Sequence, residues 1–224
     1  MIIGKGMVAS AFIDSEVALE NLIFASGVSN SQCKDPAEFE REFLLLKKAL
    51  NFKKKIIYFS TSSVYDKELV DSHYINHKLN MENFIKKNFS EYLIYRLPNV
   101  IGNTKNKNTL INNFADSILK NTTIKLYKNS TRYIIDIDDV VNYVCLTSYL
   151  SNSIINLNFN IQYSITEIWN EIQDAIGVRG KSIELDFGKP YNVDNSFFIN
   201  ELKENNIPEL NDQYYLKRIL NKYF

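Results

Sequence analysis

A tyrosine and a lysine four residues apart, Tyr74 and Lys78, lie shortly after the hydroxyl cluster Ser60, Thr61, Ser62 and Ser63. A free phenol, with a pKa of about 10, is a poor acid or base near neutrality. A cation beside it favours the phenolate and brings proton transfer within reach. On a helix the i, i+4 spacing puts the phenol and the ammonium on one face, and the Thr61 hydroxyl could hold a substrate oxygen by a hydrogen bond. The same spacing also fits a packed ring beside a solvated charge, so the surrounding elements have to decide. His73 and His77 flank Tyr74 but have no third ligand near them, and no metal site is expected.

The hydroxyl cluster ends an apolar run, Ile56, Ile57, Tyr58, Phe59, that reads as a buried parallel strand. Chemistry on open α/β sheets sits at such strand ends. Tyr74, Leu79, Met81, Phe84 and Ile85 recur at helical spacing. Before the strand, Asp35 offers an N-cap with Pro36 at N1 and Glu38 at N3, opening a helix that carries Phe39, Phe43, Leu46 and Leu50. After the Tyr74 helix, residues 92–97 form another apolar strand, broken by Pro98. At the start of the chain Ile2 and Ile3 run into Gly4, Lys5, Gly6, Met7, Val8, Ala9, a G-x-G-x-x-A turn where backbone can approach a pyrophosphate. A purely structural turn would have the same glycines. This alternation predicts an α/β fold, a Rossmann-type doubly wound parallel sheet. A dinucleotide fold then needs a second strand ending in Asp or Glu about 20 residues after the glycines. Instead residues 14–20 lead straight to a strand ending in Ala25, Ser26 and Gly27, so the second strand, its helix and the third strand are expected to be missing.

The remainder is more mixed. Strands are expected at 123–127, 132–135 and 182–187, and a helix over 140–150 beginning at Asp138 or Asp139. Ser164 and Glu167 form a capping box for a helix with Ile165, Ile168, Trp169, Ile172 and Ile176 on one face, ending at Gly177. Trp169 is therefore expected in the core. Closing helices fit 197–202 and 214–220. The expected division is a dinucleotide-binding domain over 1–150 and a small substrate lobe over 151–224, with elements free to interleave. At 224 residues the chain can bury one sizeable core. Its 26 basic and 26 acidic residues give no net field for nucleic acid or an anionic membrane. No apolar run reaches the roughly 18 residues of a membrane span, and the N-terminus has no signal-peptide character. Cys33 and Cys145 read as reduced thiols, and a cytoplasmic protein is expected.

Taken together, FSTSSVYD (59–66), YINHK (74–78), RLPNVIG (96–102) and RYIIDIDDVV (132–141) resemble, in order, the motifs of the extended short-chain dehydrogenase/reductase family, in its nucleotide-sugar epimerase/dehydratase branch. The resemblance implies NAD or NADP as cofactor and a nucleotide-linked sugar as substrate, in a ketoreductase or epimerase of surface polysaccharide sugar biosynthesis. Tyr74 would be the acid/base, Lys78 would hold the nicotinamide ribose and lower the Tyr74 pKa, and Thr61 would complete the trio. Gly4, Lys5, Gly6, Met7 and Val8 would take the pyrophosphate, with Ala25, Ser26, Gly27 and Leu97 along the cofactor. Ser62, Ser63, Asn99 and Arg132 would face the substrate. Relatives often pair through the Tyr74 helix and its neighbour, so a homodimer using Phe39, Phe43 and Phe84 is implied, although these rings also suit a core. Family members that dehydrate a sugar usually carry Asp-Glu after the Thr. Ser62 and Ser63 stand there in this chain, which disfavours dehydration. A non-catalytic nucleotide-sugar or dinucleotide binding protein with a degenerate cofactor site is the alternative.

Overall fold

A computed structural model describes residues 1–210 and 212–224. β1 (Ile2–Ile3) leads through Gly4 and Gly6 into two short helices, α1 (Met7–Ala11) and α2 (Glu16–Glu20), and then β2 (Leu22–Phe24). The Asp35 side chain accepts from the Ala37 amide at the start of α3 (Pro36–Ala49), with Pro36 in the first turn where its missing N–H costs nothing. β3 (Ile56–Thr61), α4 (His73–Asn88) and β4 (Tyr92–Leu97) follow. Next come β5 (Asn99–Ile101), α5 (Leu110–Leu119), β6 (Thr123–Tyr127), β7 (Thr131–Arg132), β8 (Ile134–Asp136) and α6 (Ile137–Leu146). The chain ends with β9 (Ser153–Asn156), β10 (Tyr163–Ser164), α7 (Ile165–Ile176), β11 (Lys181–Leu185), α8 (Ser196–Glu204) and α9 (Tyr215–Tyr223).

Five parallel strands form the central sheet in the order β1-β2-β3-β4-β9. Because side chains alternate along a strand, β3 sends Ile57 and Phe59 to one face and Ile56 and Tyr58 to the other. The first face packs on Phe12, Val17, Ala18, α6 and α8; the second packs on Leu46 and Ala49 of α3 and on Met81 and Ile85 of α4. Burial of each such aliphatic side chain is worth about 1.5–3 kcal/mol. β1, β2 and β3 are adjacent in that order and parallel, yet the β1-to-β2 connection crosses one face and the β2-to-β3 connection the other. The two connections therefore have opposite hands, although right-handed crossovers are the rule. β1 is an edge strand: no further strand pairs with it among the described residues.

A second core joins α5, α7 and α9 through Phe114, Trp169, Tyr215 and Leu216, and Trp169 lies edge-on to Phe114 at 5.4 Å. The expected boundary near residue 150 falls between α6 and β9, and β9 then enters the central sheet while α5 and β6 belong to the second core. β6 pairs with β11, β7 with β10 and β5 with β8. Two expectations shift. The strand over 132–135 divides at Tyr133 into β7 and β8, and α6 starts at Ile137 because Asp136 is the cap, accepting from the Asp138 amide. The Ser164–Glu167 capping box forms as expected, and α7 ends on left-handed Gly177. No helix of the described residues is long and apolar enough to cross a membrane.

Candidate active site

The site lies at the C-terminal ends of β1 to β4, where the strand ends and the following loops enclose a cavity of about 720 Å³, a size typical of ligand pockets. Gly4 has φ +141°, and a Cβ on it would come within 2.3 Å of the Ala25 carbonyl oxygen, so only glycine lets β1 turn past β2 here. Gly6 caps α1 in extended conformation, and a Cβ there would meet nothing within 4 Å. The first-turn amides of α1 accordingly have no intrahelical acceptor, and Met7 and Val8 line the cavity.

Thr61 ends β3 on the opposite wall, and its hydroxyl accepts from the Ser63 amide. α4 presents Tyr74 and Lys78 on one face, with the ammonium 6.0 Å from the centre of the Tyr74 ring. Thr61, Tyr74, Lys78 and Gly6 thus line one cavity, as do Lys5, Ala25, Ser26, Gly27, Ser63, Leu97, Asn99 and Arg132. Two sequence candidates sit elsewhere. Gly4 supports the turn behind the wall, and Ser62 is buried, with no hydrogen-bond partner for its hydroxyl and no place in the wall. Asn99 donates from its side chain to the Tyr133 carbonyl, and Arg132 to the Thr131 carbonyl.

Sequence reasoning missed the residue that holds Lys78. The Lys78 ammonium donates to Glu42 Oε1 at 3.0 Å and to the Tyr58 hydroxyl at 3.1 Å. Glu42, wholly buried on α3, also accepts from Tyr58 OH at 2.7 Å, the Val28 amide at 2.7 Å and His77 Nε2 at 3.0 Å. Burial alone would raise its carboxyl; Lys78, His77, the Val28 amide and Tyr58 together outweigh that and hold it well below the usual carboxylate range. The signal was a charged residue on the apolar stripe that runs from half-buried Phe39 through Glu42 to buried Leu46 and Ala49.

Lys78 acts on Tyr74 in the expected direction but does not prevail. Burial raises its pKa, Lys78 opposes this, Glu42 reinforces it and Thr61 opposes it, and the outcome is a phenol above its ordinary value. Burial is the largest of these effects, so the uncharged phenol is favoured although Lys78 pulls the other way. The rings Phe39, Phe43 and Phe84 pack within the chain between α3 and α4, Phe43 edge-on to Phe84 at 5.0 Å and Phe39 stacked on His77 at 4.7 Å.

The cavity wall carries the cations Lys5, Arg41, Lys78 and Arg132 and, among the described residues, no carboxylate. The charge balance of the whole chain conceals this local field. With the open cradle at Gly6 and the free first-turn amides, these residues fit the phosphates and nicotinamide ribose of a dinucleotide.

No protein-family model and no curated protein sequence matches the chain. Solved structures do match in fold. UDP-glucose 4-epimerase from Thermus thermophilus, complexed with NAD, superposes with a TM-score of 0.71 at 15% identity, covering 90% of this chain and 76% of that one. RMD from Pseudomonas aeruginosa, complexed with NADPH, gives 0.67 at 16% identity, covering 90% and 79%. UDP-N-acetylglucosamine 4-epimerase from Methanobrevibacter ruminantium, in complex with UDP-N-acetylmuramic acid, gives 0.68 at 16% identity, covering 94% and 79%. The chain therefore has the fold of the extended short-chain dehydrogenase/reductase nucleotide-sugar enzymes that its motifs resemble.

Proposed function

We propose that the chain is an NAD(P)-dependent reductase of a nucleotide-linked keto sugar, a shortened relative of the epimerases in which a strand, helix and strand beyond β1 have been lost. The observation that carries this reading is the convergence of Thr61, Tyr74 and Lys78 on one carboxylate-free, cationic cavity that opens beside the glycine turn. Of the four cations there, Lys78 is paired with Glu42 and Arg41 with Glu38, and Lys5 and Arg132 are the ones placed to meet phosphate oxygens of a dinucleotide or a nucleotide sugar. The edge position of β1 and the reversed hand of its connection to β2 are what excision of the intervening elements would leave.

A bound reduced nicotinamide would supply the hydride for the sugar carbonyl carbon. Tyr74 gives its phenolic proton to the carbonyl oxygen, which becomes the product hydroxyl, and then regains a proton from solvent. Thr61 holds that oxygen by a hydrogen bond. Lys78, with two of its three donors committed to Glu42 and Tyr58, has one left for the cofactor ribose. A phenol held in its neutral form suits the donor role, which favours reduction over abstraction of a hydroxyl proton. Epimerisation is the second reading, favoured by the number of epimerases among the structural neighbours.

Nicotinamide absorbance with a panel of nucleotide-linked 4-keto sugars separates them. Stoichiometric loss of NADH or NADPH supports the reductase, and turnover without net loss supports the epimerase. Tyr74→Phe should lower turnover by about 10²–10⁴-fold while leaving cofactor binding nearly unchanged; unchanged turnover removes Tyr74 from the mechanism. Failure of both NADH and NADPH to bind at millimolar concentration in calorimetry refutes both readings and leaves the non-catalytic binding protein.

A further inference from the structure

Glu42 is the most deeply buried charge near the site and takes no part in the chemistry above. Its two oxygens receive four donors from three directions: the Val28 amide and His77 on Oε2, and Tyr58 and Lys78 on Oε1. A carboxylate so fully occupied cannot turn without leaving a buried donor unpaired. Gly27 completes the enclosure, since a Cβ there would lie 2.5 Å from Lys78 Nζ and 3.3 Å from Glu42 Oε1. From this geometry we infer that Glu42 is a positioning residue, which pins the Lys78 ammonium beneath the Gly27 backbone and neutralises it there as a counter-ion.

The inference rests on the proposed role of Tyr74 and deepens it. A free lysine at this place would stabilise phenolate and suit proton abstraction; a lysine already paired leaves Tyr74 a phenol able to donate to a carbonyl. The other groups facing the pair do not supply this. Tyr58, on β3, is itself buried and bonded to Glu42, and its hydroxyl stays protonated. His77, on α4, donates to Glu42 on the side away from Lys78. Glu82, further along α4, is taken up by Arg96 and Ser60. Thr61 carries no charge. Burial of the phenol and the opposed lysine charge together keep Tyr74 protonated, and the second of these comes from an acid on α3, a helix that contributes none of the acid-base trio.

The test is read on the protein without cofactor. The Tyr74 phenol is titrated by NMR of ring-labelled tyrosine, its signal assigned by loss in Tyr74→Phe. In Glu42→Gln the midpoint should fall by about one pH unit or more, because the lysine charge is no longer opposed, and Glu42→Asp should restore most of the difference. A midpoint unmoved in Glu42→Gln overturns the inference; a merely structural role would change stability and leave that titration in place. A second measurement needs no Glu42 variant to fold. In the unsubstituted protein the pinned ammonium should give a slowly exchanging lysine Nζ resonance near neutral pH, assigned by loss in Lys78→Met. Exchange as fast as that of surface lysines overturns it. Calorimetry with NADH and NADPH is independent of both: absence of binding would sink the proposed reaction, while the titration and exchange would still decide the placement of Glu42.

Discussion

Glu42 also makes the fold sensitive to acid. Its carboxyl is held well below the usual range in the folded chain, so its contribution is fully present above about 4.5 and is lost as pH falls from there toward the folded-state value. Urea unfolding at pH 7 and pH 3 should show the unsubstituted protein losing on the order of 2 kcal/mol more between the two than Glu42→Gln does. At pH 7 the variant should be less stable by about 3 kcal/mol, because Lys78 is left buried without its partner. Equal acid losses in the two proteins would contradict the burial and pairing described for this carboxylate. Thr61, Tyr74 and Lys78 were legible in the sequence because their spacing is local and their chemistry is particular to their residue types. Glu42 was not, since its partners lie 16 and 36 residues away, and a carboxylate on an apolar stripe reads as an interruption of the pattern.

At the scale of elements, local signals carried far. The Asp35 cap and the Ser164 capping box need only a few neighbouring residues, and both form where the sequence puts them. Ser164→Ala should cost about 1 kcal/mol, seen as a lower urea midpoint with an unchanged slope; no change would mean that packing of α7 on α5 and α9 already fixes its start. The start of α6 was not legible, because Asp136, Asp138 and Asp139 offer three caps and only the tertiary context chooses. Tyr215 donates to Asp139 and accepts from the Asp136 amide, Lys222 and Tyr223 bond the Asp136 carboxylate, and α9 thereby fixes Asp136 as the cap.

Across the whole molecule, α/β alternation gave the parallel sheet, but not the partners of its outlying pieces. β9 joining β4, and β6 joining β11, are contacts across about 60 residues that no periodicity encodes. The same scale governs cofactor choice. Among the described residues no strand lies beyond β1 and no carboxylate lines the cavity wall, while Arg41, paired with Glu38, reaches the wall and donates to the Ser26 carbonyl and hydroxyl. NADPH should therefore bind at least as tightly as NADH, and Arg41→Ala should weaken NADPH about tenfold with little effect on NADH. Equal losses for both dinucleotides in calorimetry would place Arg41 away from the ribose.

The bare flank of β1 has one more use. The turn at Ile13 and Asp14, between α1 and α2, stands out in solvent, with Ile13 64% exposed. A stretch of chain spliced in there has no packed side chain to push aside. A glycine- and serine-rich graft at that turn should leave the melting temperature within a few degrees, whereas a collapse would reveal that this flank is already in service. The open edge of β1 is thus the side of the sheet on which added backbone should be accommodated.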